Sequence, residues 1–558
     1  MAEIELTKAQ KILNRLKHLE EIRQPTIDAC KDITQYVAPG RGKYLSMGET
    51  AEQKKKSKYT KIIKNTAGRA LRILQAGMQT GLTNPARPWI RFGLQDKDLA
   101  EYGPVRVWLD TSCKIILRIL DMSNFYACTH SIYGELGAFA TACLYIEEDP
   151  ISTIRGRIVT MGEYVIALDA SGRVNLVGRH FYMTARQMKE KWDNKVSQDV
   201  KNVLMSTSGH DKKFQVVHWV QPNKDRDITK ADNGNMPWSS TYFQYDKTNN
   251  DAILEQGGYE EFPFMVPRWD VLASDEWGNG PGMEILADTK MMQEIEKASI
   301  KAMHKTLDPP MFAPAGLKNK FRMQPGSVNF YDVNTDKEIG PLYQINFDIA
   351  SAEAKTQEIV RDIKEGFFND LFLMIAQSEG TQPFTATEIL ERREEKMTVL
   401  GPVVDRSINE LLRPAIDRVW NIAVRTGRIP PPPPEIAGEE FEVEFISLLA
   451  QAQKLQGVHP IQATINYALS LSEIKPDIVD KVDLDQSVDE YAAGVGAPAK
   501  IIRSDADVAE LRKARAEEQR KMQEMAELQA GLEMGKTASE IDTGGDNALT
   551  GIAKAIGG

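Results

Sequence analysis

Residues 267–314 constrain the fold of this chain more than any other stretch. An extended run at 266–269 leads into a glycine- and proline-rich turn at 277–282, a helical pattern up to residue 304, and then Asp308-Pro309-Pro310. The predicted helix, residues 282–304, is about 34 Å long at ~1.5 Å per residue. Strong helix breakers bound it, yet it has no broad apolar face. Such a helix needs partners to be stable.

Small side chains in this helix favour close packing against another helix. The small residues and the narrow apolar seam beside them are Ala287, Met291, Met292, Ile295, Ala298, Ser299 and Ala302. On another face, Glu294 is spaced to reach Lys290, Lys297 or a neighbouring subunit. The alternative interpretation is a polar surface helix of a monomeric enzyme.

Length, charge and cysteine content limit the class of protein. The 558 residues exceed the ~250–300 at which a single core stops growing, which predicts several domains. The 69 basic and 79 acidic residues give a net charge of −10, which argues against bulk positive charge as the means of holding DNA. The four cysteines make no CxxC or metal spacing and indicate reduced thiols. With an acidic amino terminus and no apolar stretch of ~18 residues, an intracellular soluble protein is expected.

Apolar periodicity predicts helices first and strands afterwards. One helix is predicted around residues 12–19, and a second is predicted to begin at Pro25. Three more follow between residues 63 and 143. From residue 142 to 259 the period is two, which predicts an antiparallel β module.

The carboxy-terminal half is predicted to be mainly helical. A long helix over residues 351–376, followed by a polar loop at 377–383, is predicted from apolar residues at three- and four-residue steps: Val360, Ile363, Phe367, Leu371 and Met374. Then comes one bent helix, interrupted at Gly401-Pro402 and Arg413-Pro414, because proline removes a backbone hydrogen bond and bends a helix. A charged helix is predicted at 505–534.

Two glycine-containing segments resemble nucleotide-binding loops. Residues 530–537 end in Gly535-Lys536-Thr537, as a phosphate-binding P-loop does, but alanine replaces the first loop glycine and a charged helix precedes the segment. Gly278, Gly280 and Gly282 lack the GxGxxG spacing and the βαβ context of a dinucleotide loop, so a structural turn is the better interpretation.

No other pattern predicts a catalytic or metal site. The seven histidines form neither HxxxH nor HExxH. His218, inside an apolar strand pattern, is interpreted as a satisfied strand residue, and the acidic run at 147–149 as a solvated face. We therefore predict a non-enzymatic protein with no cofactor and no metal.

Three blocks in order along the chain resemble the bacteriophage head-to-tail connector, or portal, family of short-tailed (podovirus-type) phages. They are residues 66–89, closed by Asn84-Pro85-Ala86-Arg87-Pro88-Trp89; residues 162–174, with the turn Asp169-Ala170-Ser171-Gly172; and residues 267–314. The resemblance covers most of residues 1–430 and the remainder only by position.

The resemblance implies an α+β portal-type fold, in which an α/β wing, a two-helix stem, a small β-containing clip and a helical crown assemble as a ring. The predicted domains are a wing at 1–265, a first stem helix with the turn before it at 266–305, a clip at 306–350, a second stem helix at 351–376, a tunnel loop at 377–384, a bent wing helix and polyproline spacer at 385–434, a crown at 435–535 and a flexible tail at 536–558.

The same resemblance implies the partners. Copies of the chain, usually twelve, surround a channel through which double-stranded DNA is packaged and ejected at the portal vertex of the virion. The terminase packaging motor, the tail adaptor and the major capsid and scaffolding proteins dock to it, and no membrane is involved. Assembly is expected in the host cytoplasm.

Site residues follow from the same assignment. The candidates for DNA contact are Lys297, Lys301, Lys305, Gln377, Ser378 and Gln382. The three lysines lie at i, i+4 and i+8 on one helical face, and salt bridges to Glu353, Glu358 or Asp362 of another subunit are the alternative. The candidates for motor or adaptor contact in the clip are Lys318, Lys320 and Arg322.

A structural portal is the leading hypothesis. The alternative is a nucleotide-dependent enzyme that uses Gly535, Lys536 and Thr537, and a third is another oligomeric scaffold associated with the capsid.

Overall fold

The computed structural model divides the chain into two compact units, Met1–Gln456 and Gly457–Gly558. The described residues are 7–42, 45, 62–96, 99–100, 102–206, 209–230, 232–245, 253–273, 275–307, 311–312, 340–341, 348–377, 399–436, 438, 441–447, 449, 464–468, 470–471, 481–488 and 505–540.

The first unit mixes helices and strands, which confirms the α+β prediction. Its helices are α1 (Lys8–Tyr36), α2 (Thr66–Leu82), α3 (Gly103–Met122), α4 (Phe125–Phe139), α5 (Ala185–Trp192), α6 (Gln198–Leu204), α7 (Pro281–Glu284), α8 (Leu286–Leu307), α9 (Ile349–Gly366), α10 (Asn369–Gln377) and α11 (Arg413–Arg425). Its strands are β1 (Ile90–Leu94), β2 (Cys143–Asp149), β3 (Thr153–Val159), β4 (Tyr164–Leu168), β5 (Val174–Thr184), β6 (Lys213–Pro222), β7 (Trp238–Gln244), β8 (Ile253–Tyr259), β9 (Phe264–Met265), β10 (Met311–Phe312), β11 (Gly340–Pro341) and β12 (Phe441–Phe445).

Helix α1 continues through Pro25, so the prediction of a second helix beginning there is wrong. Proline cannot donate the hydrogen bond to residue 21, but Glu21 and Pro25 both lie on the exposed side, where water can solvate that carbonyl. On the other side, Arg23 is buried and donates to the carbonyl of Tyr164. Solvation of the residue 21 carbonyl on one side and packing of Arg23 on the other therefore allow a single helix to continue through the proline.

The predicted β module is present but consists of two antiparallel sheets rather than one. The larger sheet has the order β4-β5-β6-β7-β8, and the smaller has the order β3-β2-β9. The larger sheet is covered on both faces. Val217 packs with α1 residues such as Leu16, and its neighbour Val216 packs with α5 residues such as Met188, because successive strand side chains point to opposite faces.

Strand β12 pairs with β1 in the first unit. Residues 441–445 therefore belong to the first unit, so the predicted crown, residues 435–535, includes residues of both units. In the second unit, α12 (Asp505–Glu540) confirms the predicted charged helix. It also corrects the predicted tail, since residues 536–540 are helical.

Candidate functional site: the stem helices and the segment before them

The glycines at 278–282 pack against the end of helix α4. Trp269 donates its backbone N–H to Ala140 (2.8 Å), and Gly278 donates to the Thr141 hydroxyl (2.9 Å). A side chain at Gly282 would overlap the carbonyl oxygen of Ala138. The glycines thus permit a close approach between two backbone segments, which confirms the prediction of a structural turn.

Arg268 is held by Glu410, a partner that sequence reasoning missed. The Arg268 side chain is 4% exposed, and its Nη2 donates to Glu410 Oε1 (2.7 Å) and to the Gly172 carbonyl (3.0 Å). Glu410 Oε2 also accepts from the Arg268 backbone N–H (2.8 Å). This ion pair fixes the segment that precedes α7 and α8 to the helical residues 399–425.

Glu410 lies in a π-helical segment, Ile408–Leu412, between helical residues 399–407 and α11. Arg413 donates to the Ile408 carbonyl, five residues back. The segment directly precedes Pro414, which cannot donate a backbone hydrogen bond. The described part, residues 399–425, is helical through both Pro402 and Pro414. This agrees with the prediction of one helix across these two prolines.

The base of helix α8 is anchored on its own protomer. Lys290 forms an ion pair with Asp32 of α1 (2.5 Å) and lies over the Tyr36 ring. Of the partners predicted for Glu294, the structure shows Lys297 (3.6 Å), whereas Lys290 pairs with Asp32 instead. The predicted helix is confirmed, with a short break at Ile285 between α7 and α8.

Gln293 binds the segment that precedes α2. Its side chain is buried, and its Oε1 accepts from the N–H groups of Ile63 (2.9 Å) and Lys64 (3.1 Å). Its Nε2 donates to the Lys64 carbonyl (2.7 Å). Lys64 in turn forms an ion pair with Glu296 (2.6 Å). These contacts tie α8, up to residue 296, to the segment that precedes α2.

The predicted second stem helix corresponds to α9, which packs against α8. The prediction of one helix over residues 351–376 is wrong, because Phe368 (φ 55°) separates α9 from α10. A left-handed residue cannot continue an α-helix, and the Phe368 ring lies 6.0 Å from that of Trp269. The predicted apolar face is nevertheless correct: Ile363 and Phe367 are buried.

The small residues of α8 divide between two environments. Ser299 and Ala302 are half-buried, whereas Ala287 and Ala298 are exposed. Only two of the four small residues therefore lie on the covered side of α8 in one protomer.

The lysines at 297, 301 and 305 are all exposed on α8. Among their alternative partners, Glu358 is near Lys355 (3.0 Å) and Glu353 is exposed. Gln377 is the last residue of α10. The other candidates, Ser378, Gln382, Lys318, Lys320 and Arg322, lie outside the described residues.

The acidic run at 147–149 is more than a solvated face. Glu147 pairs with Arg157 (3.1 Å), and Glu148 pairs with Arg425 of α11 (2.7 Å). Arg425 also contacts Glu261 (2.6 Å). This network joins α11 to the smaller sheet.

His218 is a buried strand residue, as predicted, but among the described residues only one of its two ring nitrogens has a hydrogen-bond partner, and Nδ1 has none. Its ring stacks on Tyr242 (3.9 Å between centroids), and its Nε2 lies 3.1 Å from the Ser240 hydroxyl. Burial, reinforced by the nearby charge of Arg179, lowers the pKa of His218 well below its usual value. The imidazole is therefore neutral at pH 7.

The P-loop interpretation fails because residues 530–537 lie within α12. A helix cannot supply the strand and glycine loop that bind phosphates. Over the described ranges, no three metal-ligating side chains converge and no helix is long and apolar enough to cross a membrane. All four cysteines are buried without a disulfide.

The chain belongs to the bacteriophage head-to-tail connecting protein family, whose model matches residues 9–502. It is 35% identical over 558 residues to the probable portal protein of Bordetella phage BPP-1, covering 99% of both chains. It is 34% identical over 556 residues to the portal protein of Salmonella phage epsilon15, again covering 99% of both. The predicted function as a portal, or head-to-tail connector, is thereby confirmed, and the enzyme alternative has no support.

Among solved structures, the chain is similar to a chain in the neck of an empty gene transfer agent particle. The TM-score is 0.34 at 10% identity, covering 71% of this chain and 86% of the other. A chain in a native gene transfer agent virion gives a TM-score of 0.31 at 10% identity, covering 76% and 93%. Similarity at this level supports no further conclusion.

Proposed function

We propose that copies of this chain form a dodecameric ring around the channel of a phage portal vertex, and that the ring works without enzymatic chemistry. The whole-length relationship to two phage portal proteins carries this proposal. Helices α8 and α9 support it, because they pack together and α8 is anchored to its own wing at the base. Double-stranded DNA passes through the ring during packaging and ejection.

The predicted domains take the following places. The stem is α8 and α9, the clip lies between them, and the tunnel loop follows α10 up to residue 384. The wing comprises the rest of the first unit, and the crown comprises residues 457–535. The clip residues Lys318, Lys320 and Arg322 contact the terminase motor during packaging and the tail adaptor afterwards.

Assembly begins in the host cytoplasm with the scaffolding and major capsid proteins, and the ring remains in the virion. Particle size tests the ring directly. Native mass spectrometry and negative-stain images of the purified chain are expected to give one closed ring of about twelve copies. A monodisperse monomer at micromolar concentration under every salt condition would refute the proposal.

Lys297, Lys301 and Lys305 face the DNA in this proposal. The salt dependence of binding becomes steeper with each phosphate that the protein neutralises, so replacing all three lysines by Gln should make the slope of log K against log salt shallower by up to about 2.7 for each copy of the chain that contacts the DNA. The matched control replaces Lys355 and Lys364, which are exposed on α9.

The alternative role of these lysines predicts a different result. If they form salt bridges to Glu353, Glu358 or Asp362 of a neighbouring copy, the triple variant no longer forms the ring. A ring that stays intact with an unchanged salt slope would refute both roles.

A further inference from the structure

One face of helix α8 is covered along its first half and uncovered along its second. Met292, Glu296, Ile300, Met303 and Leu307 follow one another at steps of four, four, three and four residues, which places them on one side of the helix. Met292 is fully buried, and Glu296 pairs with Lys64 of the same protomer. From residue 300 onward, the apolar residues on this side are exposed to solvent in the single protomer.

The uncovered half of this face remains apolar. Ile300 is 37% exposed, Met303 38% and Leu307 85%. We call these three residues the apolar stripe. Isolated exposed apolar residues are common, but three in a row on one helical face mark a contact surface. The stripe is separate from Lys301 and Lys305, because Ile300 and Lys301 are about 100° apart around the helix and Ile300 and Lys305 about 140°.

We propose that the apolar stripe is the seam along which α8 of one copy packs against the beginning of α9 of the next copy. This inference rests on the ring proposed above. In a cyclic ring the contact is heterologous, so the stripe meets a different surface of its neighbour, at the same height along the axis.

The position of the stripe along the ring axis identifies the surface of the neighbouring copy that it meets. Strands β10 and β11 pair as an antiparallel bridge between residues 311–312 and 340–341, so the end of α8 and the beginning of α9 lie at the same end of the stem. Ile349, at the beginning of α9, is 54% exposed and can extend the apolar contact.

Charge favours the same pairing. Residues 297–307 carry three lysines and no carboxylate. Residues 348–358 carry Asp348, Glu353 and Glu358 against a single lysine, Lys355. The positive end of α8 thus lies opposite the negative beginning of α9 of the neighbour, and Lys297, about 60° from Ile300 around the helix, is the lysine nearest the seam.

Substitution of the stripe tests the proposal. Ile300→Glu and Met303→Glu are each expected to weaken ring formation by at least about tenfold in the protein concentration required, because a charge then enters an apolar contact. Ala298→Glu is the matched control: the same charge enters the same helix at an exposed position on another face, and ring formation is expected to be unchanged. Mass photometry over a concentration series gives the ring fraction, and circular dichroism confirms that each variant is folded.

A cysteine probe covers the case in which a glutamate variant fails to fold. Met303→Cys in assembled rings is expected to react with a maleimide at least about tenfold more slowly than Ala298→Cys, and equally fast once the ring is dissociated. The four native cysteines are buried and do not compete.

The outcomes separate this inference from the ring itself. If the unsubstituted chain forms no ring, the proposed function fails. If rings form and both glutamate variants behave like Ala298→Glu, the function stands and the seam is refuted. Protection of Met303→Cys that persists in dissociated monomers would also refute it, because the cover would then come from the same chain.

Discussion

Removing the carboxylate of Glu410 should measurably destabilise the wing unit. Glu410→Ala leaves the Arg268 guanidinium, only 4% exposed, with the Gly172 carbonyl as its remaining acceptor among the described residues. Breaking a buried ion pair by deleting one partner costs about 3–5 kcal/mol. Because Glu410 itself is 21% exposed, the lower end of that range, about 3 kcal/mol, applies here.

The expected shift in melting temperature is small because the unit is large. At about 2.1 cal/mol/K per residue, a unit of 456 residues has an unfolding entropy of about 1 kcal/mol/K, so the midpoint should fall by about 3 °C. Circular dichroism at one fixed scan rate measures this shift.

The control is Glu294→Ala, which removes a carboxylate whose side chain is 74% exposed beside Lys297. Exposed pairs contribute about 0–1 kcal/mol, so the control should melt within about 1 °C of the parent. If Glu410→Ala and Glu294→Ala melt at the same temperature, the Arg268 ion pair does not stabilise the segment before the stem.

Three further substitutions test other features of the wing. Gly282→Ala should be destabilised by more than ~2 kcal/mol because the new methyl group meets the Ala138 carbonyl, whereas Gly103→Ala, where no atom lies within 4 Å, should not; equal denaturant midpoints would contradict this. The His218 imidazole takes up no second proton in the folded state. The free energy of unfolding should therefore fall as the pH drops below the pKa of about 6.5 that this imidazole has in the unfolded chain. Urea unfolding at pH 7.5 and at pH 5.5 measures this loss of stability. The loss should be smaller in His218→Gln and unchanged in His210→Gln, the control at an exposed site. Pro25→Ala should raise the free energy of unfolding by up to about 3 kcal/mol, because it restores a helical hydrogen bond in α1, and the denaturant midpoint should rise with it. An unchanged midpoint would show that the proline does not destabilise the helix there.

The spacing of apolar residues predicted those helices and strands whose buried face is marked by residues within the same element. Helix α2 buries Ala67, Ala70, Leu74 and Met78, the face that the spacing of these residues indicated. A period of two also predicted the strands of the β module, although burial in the larger sheet does not alternate, because helices cover both of its faces and Val216 and Val217 are both buried. The same information placed α8 and the apolar face of α9.

The missed features depend on partners far away in the chain. Glu410 binds Arg268 across 142 residues, and nothing near either residue marks the pair. Phe368 adopts a left-handed conformation although its neighbours fit a helical pattern, so only tertiary packing ends α9 there. Pro25 shows the reverse case, in which packing overrides a helix breaker.

Helix α1 also affects how the protein emerges from the ribosome. Leu16 packs in one cluster with Trp219, about 200 residues later in the chain. At about 5–20 residues per second, the apolar face of the first helix waits on the order of 10–40 s before β6 is translated. During that interval the nascent chain exposes a surface that chaperones can bind, so the amino terminus is made first but is covered only after about 200 further residues have been translated.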